Sequence, residues 1–434
     1  MRWLLVSAQH HPTHGGIGTY VSHAVGAAVR AGWSVELITR PGPNSPRGAR
    51  IHEVTTIDMA EEFADRIDAL RRLERVRPYG YALWSLAVAK RLMTLGTDFD
   101  AIEFVDCQAE GFVSLASRRV RERFRAAGVP MIVHAHTPMF MEEQVNGADA
   151  TRFGRTIYHD WEQQAIATAD GLITASDLLR QRLPRAKASA VLAYPIAAPA
   201  KTVAMQERSR CESIVLVGSV QPRKGVDTWA RSLNLVFRTR ANANAMLIGG
   251  DTPTAPGGTS MAAHVRSLIE PQFRDRFTWS GSLSHERVQA QIAGATLAVV
   301  PSMFDNSPFV VSESLACGTP VVVSDQVGWI EHVPDLPRFS AGDARALADA
   351  QLMMLADGEA ARKIAEKCRK QLFDACNPDR HLAKRQAFVQ SIKSNWNTMP
   401  VELPGHDAMD AMEAFIADVE DAEQSLMQCS RAGS

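Results

Sequence analysis

Short apolar runs alternate along this chain with longer stretches in which apolar residues recur every three or four positions. The runs Trp3–Val6, Val35–Thr39, Ala101–Val105, Met131–His134 and Gly171–Thr174 have the length of strands. Helical periodicity fills segments between them, as in Ile17–Ala31 and Glu110–Ala127. Strands that alternate with helices imply a parallel sheet covered on both faces. Around Ala197–Arg210 the pattern lapses into Ala, Pro and polar residues, which marks a linker. A second set follows at Ser213–Val217, Ala245–Ile248, Phe277–Trp279, Leu297–Val300 and Val321–Val323, closed by helical patterns at Ala344–Leu355 and Glu359–Phe373. The expected organisation is therefore an α/β domain over 1–197, a linker over 198–210 and a second α/β domain over 211–377. In the acidic extension 397–434, Met412, Phe415, Ile416 and Val419 form a helical stripe. It reads as a docked or frayed acidic helix in preference to a partner site.

The most informative stretch is 301–325, PSMFDNSPFVVSESLACGTPVVVSD. It leaves an apolar strand and turns through a polar loop, Ser302 to Ser307. It enters a helix at Pro308, ends it at Gly318 and runs into the next strand. Proline suits a first helical turn, where its missing N–H costs nothing, and glycine suits the left-handed residue at the exit. A helix N-terminus at the carboxyl end of a buried strand is where open α/β sheets bind ligands, and its free amides favour anions. Asp305 and Glu313 bracket it, with seven residues between them.

Three further elements sit on strand-to-helix turns. Val217-Gly218-Ser219-Val220-Gln221-Pro222-Arg223-Lys224-Gly225 follows the first strand of the second domain. Gly15-Gly16-Ile17-Gly18 is reached from the first strand through Gln9-His10-His11-Pro12-Thr13-His14. It lacks the G-x-G-x-x-G spacing and a Walker lysine, so dinucleotide and P-loop readings are weak. The histidines read as polar cleft residues rather than a zinc site. The strand Met131–Val133 leads into His134-Ala135-His136, two histidines that share a strand face.

Together these segments resemble the retaining glycosyltransferases of the GT-B fold, family 4, the glycosyl transferases group 1. The resemblance spans about 1–395 and is strongest over 213–331. It implies two Rossmann-like domains facing a central cleft, with a final helix over 378–396 crossing back to the first domain. In the family the pair at the 305 and 313 positions is Glu-x7-Glu; here Asp305 replaces the first. The resemblance places Asp305 near the transferred sugar and Glu313 on the ribose hydroxyls. It puts the backbone of Asn306, Ser307, Pro308 and Phe309 on sugar and phosphate oxygens. Lys224 grips the diphosphate. Ser219 stands where the family has an arginine, and Arg223 is its candidate substitute. Gly16 and Gly18 allow close backbone approach, Leu283 joins the donor side, and His136 contacts the donor sugar, with His134 as competitor. The family's Asn-Gly-Val-Asp turn is absent near Tyr194-Pro195-Ile196.

The activity that the resemblance implies is transfer of a sugar from a UDP- or GDP-sugar to a carbohydrate or lipid-linked acceptor hydroxyl, without a metal or other cofactor. Rival readings are a degenerate sugar-nucleotide-binding scaffold, which the Asp305 and Ser219 departures favour, and a GT-B epimerase or phosphorylase.

Composition changes this picture little. At 434 residues the chain favours two domains, and 46% apolar and 22% charged residues fit a globular protein. A net charge of −1 gives no reason to expect nucleic acid. The six cysteines are scattered without metal-ligand spacing, as expected of reduced thiols in the cytoplasm. No run approaches a signal core or the ~20 apolar residues of a membrane span. Asp98-Phe99-Asp100 is a DxD, but it precedes its strand and reads as a solvated turn. Arginines crowd 66–77 and 118–125. A solvated face is the preferred reading, and attraction to anionic lipid on the inner membrane face is the alternative.

Overall fold

The computed structural model describes residues 1–10, 15–42, 46–55, 77–147, 155–199, 212–396 and 407–414. The first sheet comprises β1 (Arg2–Val6), β2 (Ser34–Thr39), β3 (Arg50–Glu53), β4 (Ala101–Val105), β5 (Met131–Ala135), β6 (Gly171–Thr174) and β7 (Ser189–Val191). Its order is β3-β2-β1-β4-β5-β6-β7, and every pairing is parallel. The second sheet comprises β8 (Glu212–Val217), β9 (Ala243–Ile248), β10 (Phe277–Trp279), β11 (Leu297–Val300), β12 (Val321–Ser324) and β13 (Arg338–Phe339). Its order is β10-β9-β8-β11-β12-β13, again parallel throughout. The strand order reverses between β1 and β4 and between β8 and β11. These are the switch points at which α/β sheets open a crevice. The loops after β1, β8 and β11 are the three glycine- or proline-bearing turns singled out in the sequence.

The central strands form as expected, because helices bury both of their faces. All five residues of β4 and of β5 are buried. Three edge strands, β3, β7 and β13, escape the hydrophobic pattern, being only two to four residues long and partly exposed. The helix expected over Glu110–Ala127 is broken. Phe112–Ala116 ends at Ser117, whose backbone is extended and whose Oγ caps the next helix, Arg118–Ala126, by accepting from Val120 N. Serine is a preferred N-cap, and here its hydroxyl also donates to Asp407 Oδ2 at 3.1 Å. Likewise Pro308 is the extended N-cap, not the first residue, of the helix Phe309–Ala316.

The helix Pro378–Ser394 packs Phe388, Val389 and Ile392 against Ala101, Ile132 and Ile173 of the first sheet. Arg385 anchors it. This fully buried guanidinium is ion-paired with Glu103 on β4 and donates to Tyr20 Oη at 2.8 Å.

Residues 407–414 of the extension dock on the first domain. Asp407 accepts from Arg119 N at 3.0 Å, Asp410 pairs with Arg119 at 2.6 Å, and Met409 and Met412 are buried in the first domain's core. Phe415, Ile416 and Val419 lie outside the described residues. The arginines of 118–125 are correspondingly not an open basic face. Arg121 is buried against Asp170 at 2.9 Å, Arg123 donates to Leu95 O, and Arg125 donates to Trp396 O at 3.0 Å. The arginines at 66, 71, 72 and 75 lie outside the described residues. The DxD is a structural turn. Asp98 pairs with Arg2, and Asp100 accepts from Arg2 N at 2.8 Å and Lys393 Nζ at 3.3 Å. Among the described residues no helix is long and apolar enough to cross a membrane.

Candidate active site

The site grows from the contact of two turns. Gly225 ends the 3-10 turn Pro222–Lys224 with φ 68°, and a Cβ there would lie 1.8 Å from Pro301 O. Only glycine lets this turn close against the loop that follows β11. The closure delivers Lys224 Nζ to Asp305 Oδ2 at 2.6 Å, with Arg223 Nη1 at 3.6 Å and Ser302 Oγ at 3.4 Å from the same oxygen. Burial pushes the Asp305 carboxyl up, but the Lys224 and Arg223 charges outweigh it and hold the group below its usual value. Burial lowers Lys224, with Asp305 opposing. Asp305 is thus a carboxylate at neutral pH. The two cations differ in role. The Arg223 guanidinium donates to Phe304 O at 3.3 Å and lies 3.5 Å from Glu142, so its charge is partly committed to the protein.

Glu313 stands on the helix Phe309–Ala316. Its carboxylate has no hydrogen-bond partner among the described residues, and His285 Nδ1 lies 3.9 Å away. Burial raises its pKa and His285 opposes this. A half-buried acceptor with nothing to accept from is arranged for a ligand's donors. His285 opens a helix capped by Ser284, and Leu283, beside it, is partly buried against the core.

The first domain supplies the opposite wall. The helix Gly16–Arg30 begins at an N-cap, Gly15, with no side-chain cap and no acid in its first turn. Among the described residues a Cβ on Gly16 would meet only Phe309, at 4.0 Å. Gly18 is buried inside the helix. Phe309 stacks on Tyr194 (centroids 5.4 Å, 15° between planes) and on His23 (5.9 Å, 14°). Ser219 is exposed just before the turn Pro222–Lys224. Of the loop histidines, His10 is buried with Nδ1 2.8 Å from Thr39 Oγ1. His11 and His14 lie outside the described residues.

The two histidines at the end of β5, His134 within it and His136 just past it, take different partners. His134 Nδ1 lies 3.0 Å from Glu103 Oε1 and 2.8 Å from Tyr20 Oη, inside the network that holds Arg385. Burial lowers its pKa to about 3, so it is a neutral structural residue. His136 hydrogen-bonds Tyr194 Oη through Nδ1 at 2.7 Å, and its backbone N–H donates to Asp106 Oδ1 at 3.0 Å. Its Nε2 is buried without a partner among the described residues, as is Asp106 Oδ2. Burial pushes Asp106 up to about 7 and Glu110 to about 8.

Polar contacts bolt the walls together. Ser176 Oγ lies 2.6 Å from Asn306 Oδ1, Glu331 accepts from Asp177 N and Leu178 N at 2.6 Å each, and His332 Nε2 donates to Ala175 O at 2.6 Å. Sequence patterns did not reveal Tyr194, His23, His285 or Asp106. Tyr194 was signalled only as a departure from the family's turn, and the others carry no local pattern. Among the described residues no cluster of His, Cys, Asp or Glu forms a metal site.

Comparison with known proteins agrees with this architecture. Residues 211–357 match the family model described as glycosyl transferases group 1, and residues 15–195 match the glycosyl transferase 4-like domain. The MMP alpha-(1->4)-mannosyltransferase of Mycolicibacterium hassiacum is 25% identical over 353 residues, covering 75% of this chain and 81% of that protein. The glycogen synthase of Mycobacterium tuberculosis is 26% identical over 399 residues, covering 86% and 90%. Among solved structures, sucrose-phosphate synthase from Thermosynechococcus elongatus superposes with a TM-score of 0.64 at 22% identity, covering 91% of this chain and 99% of that one. Anabaena HepE in complex with UDP and glucose gives 0.60 at 15% identity, covering 90% and 100%.

Proposed function

Since the chain belongs to the family 4 type of group 1 glycosyltransferases and has their GT-B fold, we propose that it transfers a sugar from a UDP- or GDP-sugar to an acceptor hydroxyl with retention at the anomeric carbon and without a bound metal. The observation that carries this reading is the Lys224–Asp305 pair beside a helix N-terminus without a side-chain cap, with the Glu313 carboxylate, which has no hydrogen-bond partner among the described residues, on the same helix. The donor lies in the second domain, its ribose on Glu313, its diphosphate at Lys224 and the amides of 306–309. The acceptor enters from the first domain. The bond from C1 to the diphosphate oxygen breaks, and the bond from C1 to the acceptor oxygen forms on the same face. The acceptor's proton passes to the departing diphosphate. Lys224 meets the charge that accumulates there, and Asp305 orients the sugar and offsets positive charge at C1. His136 lies against the sugar.

Two outcomes test this reading. Glu313→Gln is expected to weaken binding of the donor nucleotide, because charge-assisted hydrogen bonds to the ribose are worth roughly 1.5–3 kcal/mol. Calorimetric titration of UDP or GDP into both proteins measures the difference, and equal affinities would remove the ribose from Glu313. Transfer is also expected to survive EDTA, since lysine supplies the charge. Loss of activity that Mg²⁺ or Mn²⁺ restores would assign part of that work to a metal.

The degenerate scaffold is the second reading. It is favoured by the exposed Ser219 and by the engagement of both cations within the protein, Arg223 with Phe304 O and Glu142 and Lys224 with Asp305. Hydrolysis of the donor in the absence of acceptor separates enzyme from scaffold.

A further inference from the structure

A line of hydrogen bonds crosses the cleft between the two domains, and each link has a direction. Ser176 Oγ accepts from Leu179 N at 3.2 Å as an N-cap, so its proton is free to go to Asn306 Oδ1 at 2.6 Å. That fixes the Asn306 amide with its oxygen toward Ser176 and its nitrogen toward Ala135 O, at 3.5 Å, and toward the Tyr194 phenol. A phenol oxygen that accepts from an amide has its own proton left to give. The near partner is His136 Nδ1, at 2.7 Å. An imidazole that accepts at Nδ1 carries its proton at Nε2, and this is the buried atom of His136 without a partner among the described residues.

We propose that Tyr194 is a positioning residue that fixes His136 as the Nε2–H tautomer when the domains close, so that His136 presents a hydrogen-bond donor to a hydroxyl or ring oxygen of the bound sugar and cannot serve as a base. The proposal deepens the glycosyl-transfer reading and rests on it for the identity of the ligand.

Both partners are neutral. Burial, with His134 nearby, holds the His136 imidazole well below its ordinary value, and burial, with Asp106 nearby, pushes the Tyr194 phenol well above its own. One proton therefore decides the direction of the link. Ring packing holds the pair. Tyr194 lies flat against Phe309, and His136 stacks on His134 with centroids 4.6 Å apart and 13° between planes. The stacked neighbours carry opposite tautomers. The Glu103 carboxylate can only accept, so it draws the proton of His134 to Nδ1. The middle link of the line, Asn306, belongs to the second domain, so the tautomer of a first-domain residue depends on closure.

The test uses the full chain with isotope-labelled histidine, read by long-range proton–nitrogen NMR. The His136 signal is assigned by its loss in His136→Gln. Wild type is expected to show the Nε2–H pattern. Tyr194→Phe is expected to show mixed tautomers and a kcat lowered about 10-fold, the worth of about one hydrogen bond, with donor KM within about twofold. Asn306→Asp puts an acceptor where the amide donated. It should draw the phenol proton away and shift His136 to Nδ1–H, which a merely structural role for Tyr194 would not produce. An Nδ1–H pattern in wild type overturns the proposal. So does a Tyr194→Phe protein with wild-type tautomer and rate. Because the NMR readout needs no turnover, a wild type that transfers no sugar but shows the expected tautomers defeats the glycosyl-transfer reading alone.

Discussion

Lys224→Ala is expected to lower kcat by about 10²–10³-fold, the cost of removing a group that meets charge developing in the transition state. Lys224 Nζ sits 2.6 Å from Asp305 Oδ2 at the N-terminal end of the helix Phe309–Ala316. A diphosphate bound there would compete with Asp305 for the ammonium. As the C1–O bond breaks, the leaving group gains negative charge and wins more of that cation, so the interaction is stronger in the transition state than in the ground state. The substitution also leaves the buried Asp305 with Arg223, at 3.6 Å, as its remaining cation. Thermal unfolding must therefore be measured beside turnover, and the rate compared at a temperature where both proteins are folded. Asp305→Glu is the companion. It restores the family's commoner residue, one methylene longer, in a loop held by Asp305 N to Gln326 O at 3.0 Å and Gly328 N to Asp305 O at 3.0 Å. It is expected to keep measurable activity. A Lys224→Ala enzyme with normal kcat, alongside an inactive Asp305→Glu, would transfer the catalytic charge from the lysine to the carboxylate.

The second large effect is on stability. Arg385→Ala is expected to cost about 3–5 kcal/mol, as breaking a buried ion pair does when one charge stays behind. Glu103 lies in the middle of β4 with Tyr20 Oη at 3.1 Å and His134 Nδ1 at 3.0 Å, and Arg385 is the cation that pairs with it. Truncation also removes the guanidinium 4.8 Å above the Trp3 ring and loosens the helix Pro378–Ser394. The denaturant midpoint and the Tm measure the loss. Glu103→Gln combined with Arg385→Met should recover part of it, because neither charge is then stranded. If Arg385→Ala unfolds at the wild-type midpoint, the network does not hold the crossing helix to the first sheet.

Much of the fold is local in origin and could be read from the sequence. Runs such as Ala101–Val105 and Leu297–Val300 must be buried on both faces, and their length and alternation with helices specify parallel sheets before any contact is known. The loop after β11 was legible for the same reason. A proline at its helical end, a glycine past the exit and carboxylates eight positions apart describe a helix N-terminus and two charged groups near it.

The tertiary structure decided which groups act together. Arg223 and Lys224 are neighbours in sequence, but the 3-10 turn sends one side chain to Phe304 O and the other to Asp305. His134 and His136 share a strand face in the pattern. They are told apart by Glu103, by Tyr194 and by Arg385, which lies more than two hundred residues away in the chain. The capping serine at the break, Ser117, finds its acceptor in Asp407, far along the chain. The edge strands β3, β7 and β13 are too short to carry a period of their own and exist because a neighbour offers its backbone. In each case a local pattern specifies burial and backbone direction. The partner of a buried polar atom is chosen by distance in the folded chain, and that distance has no image in sequence spacing.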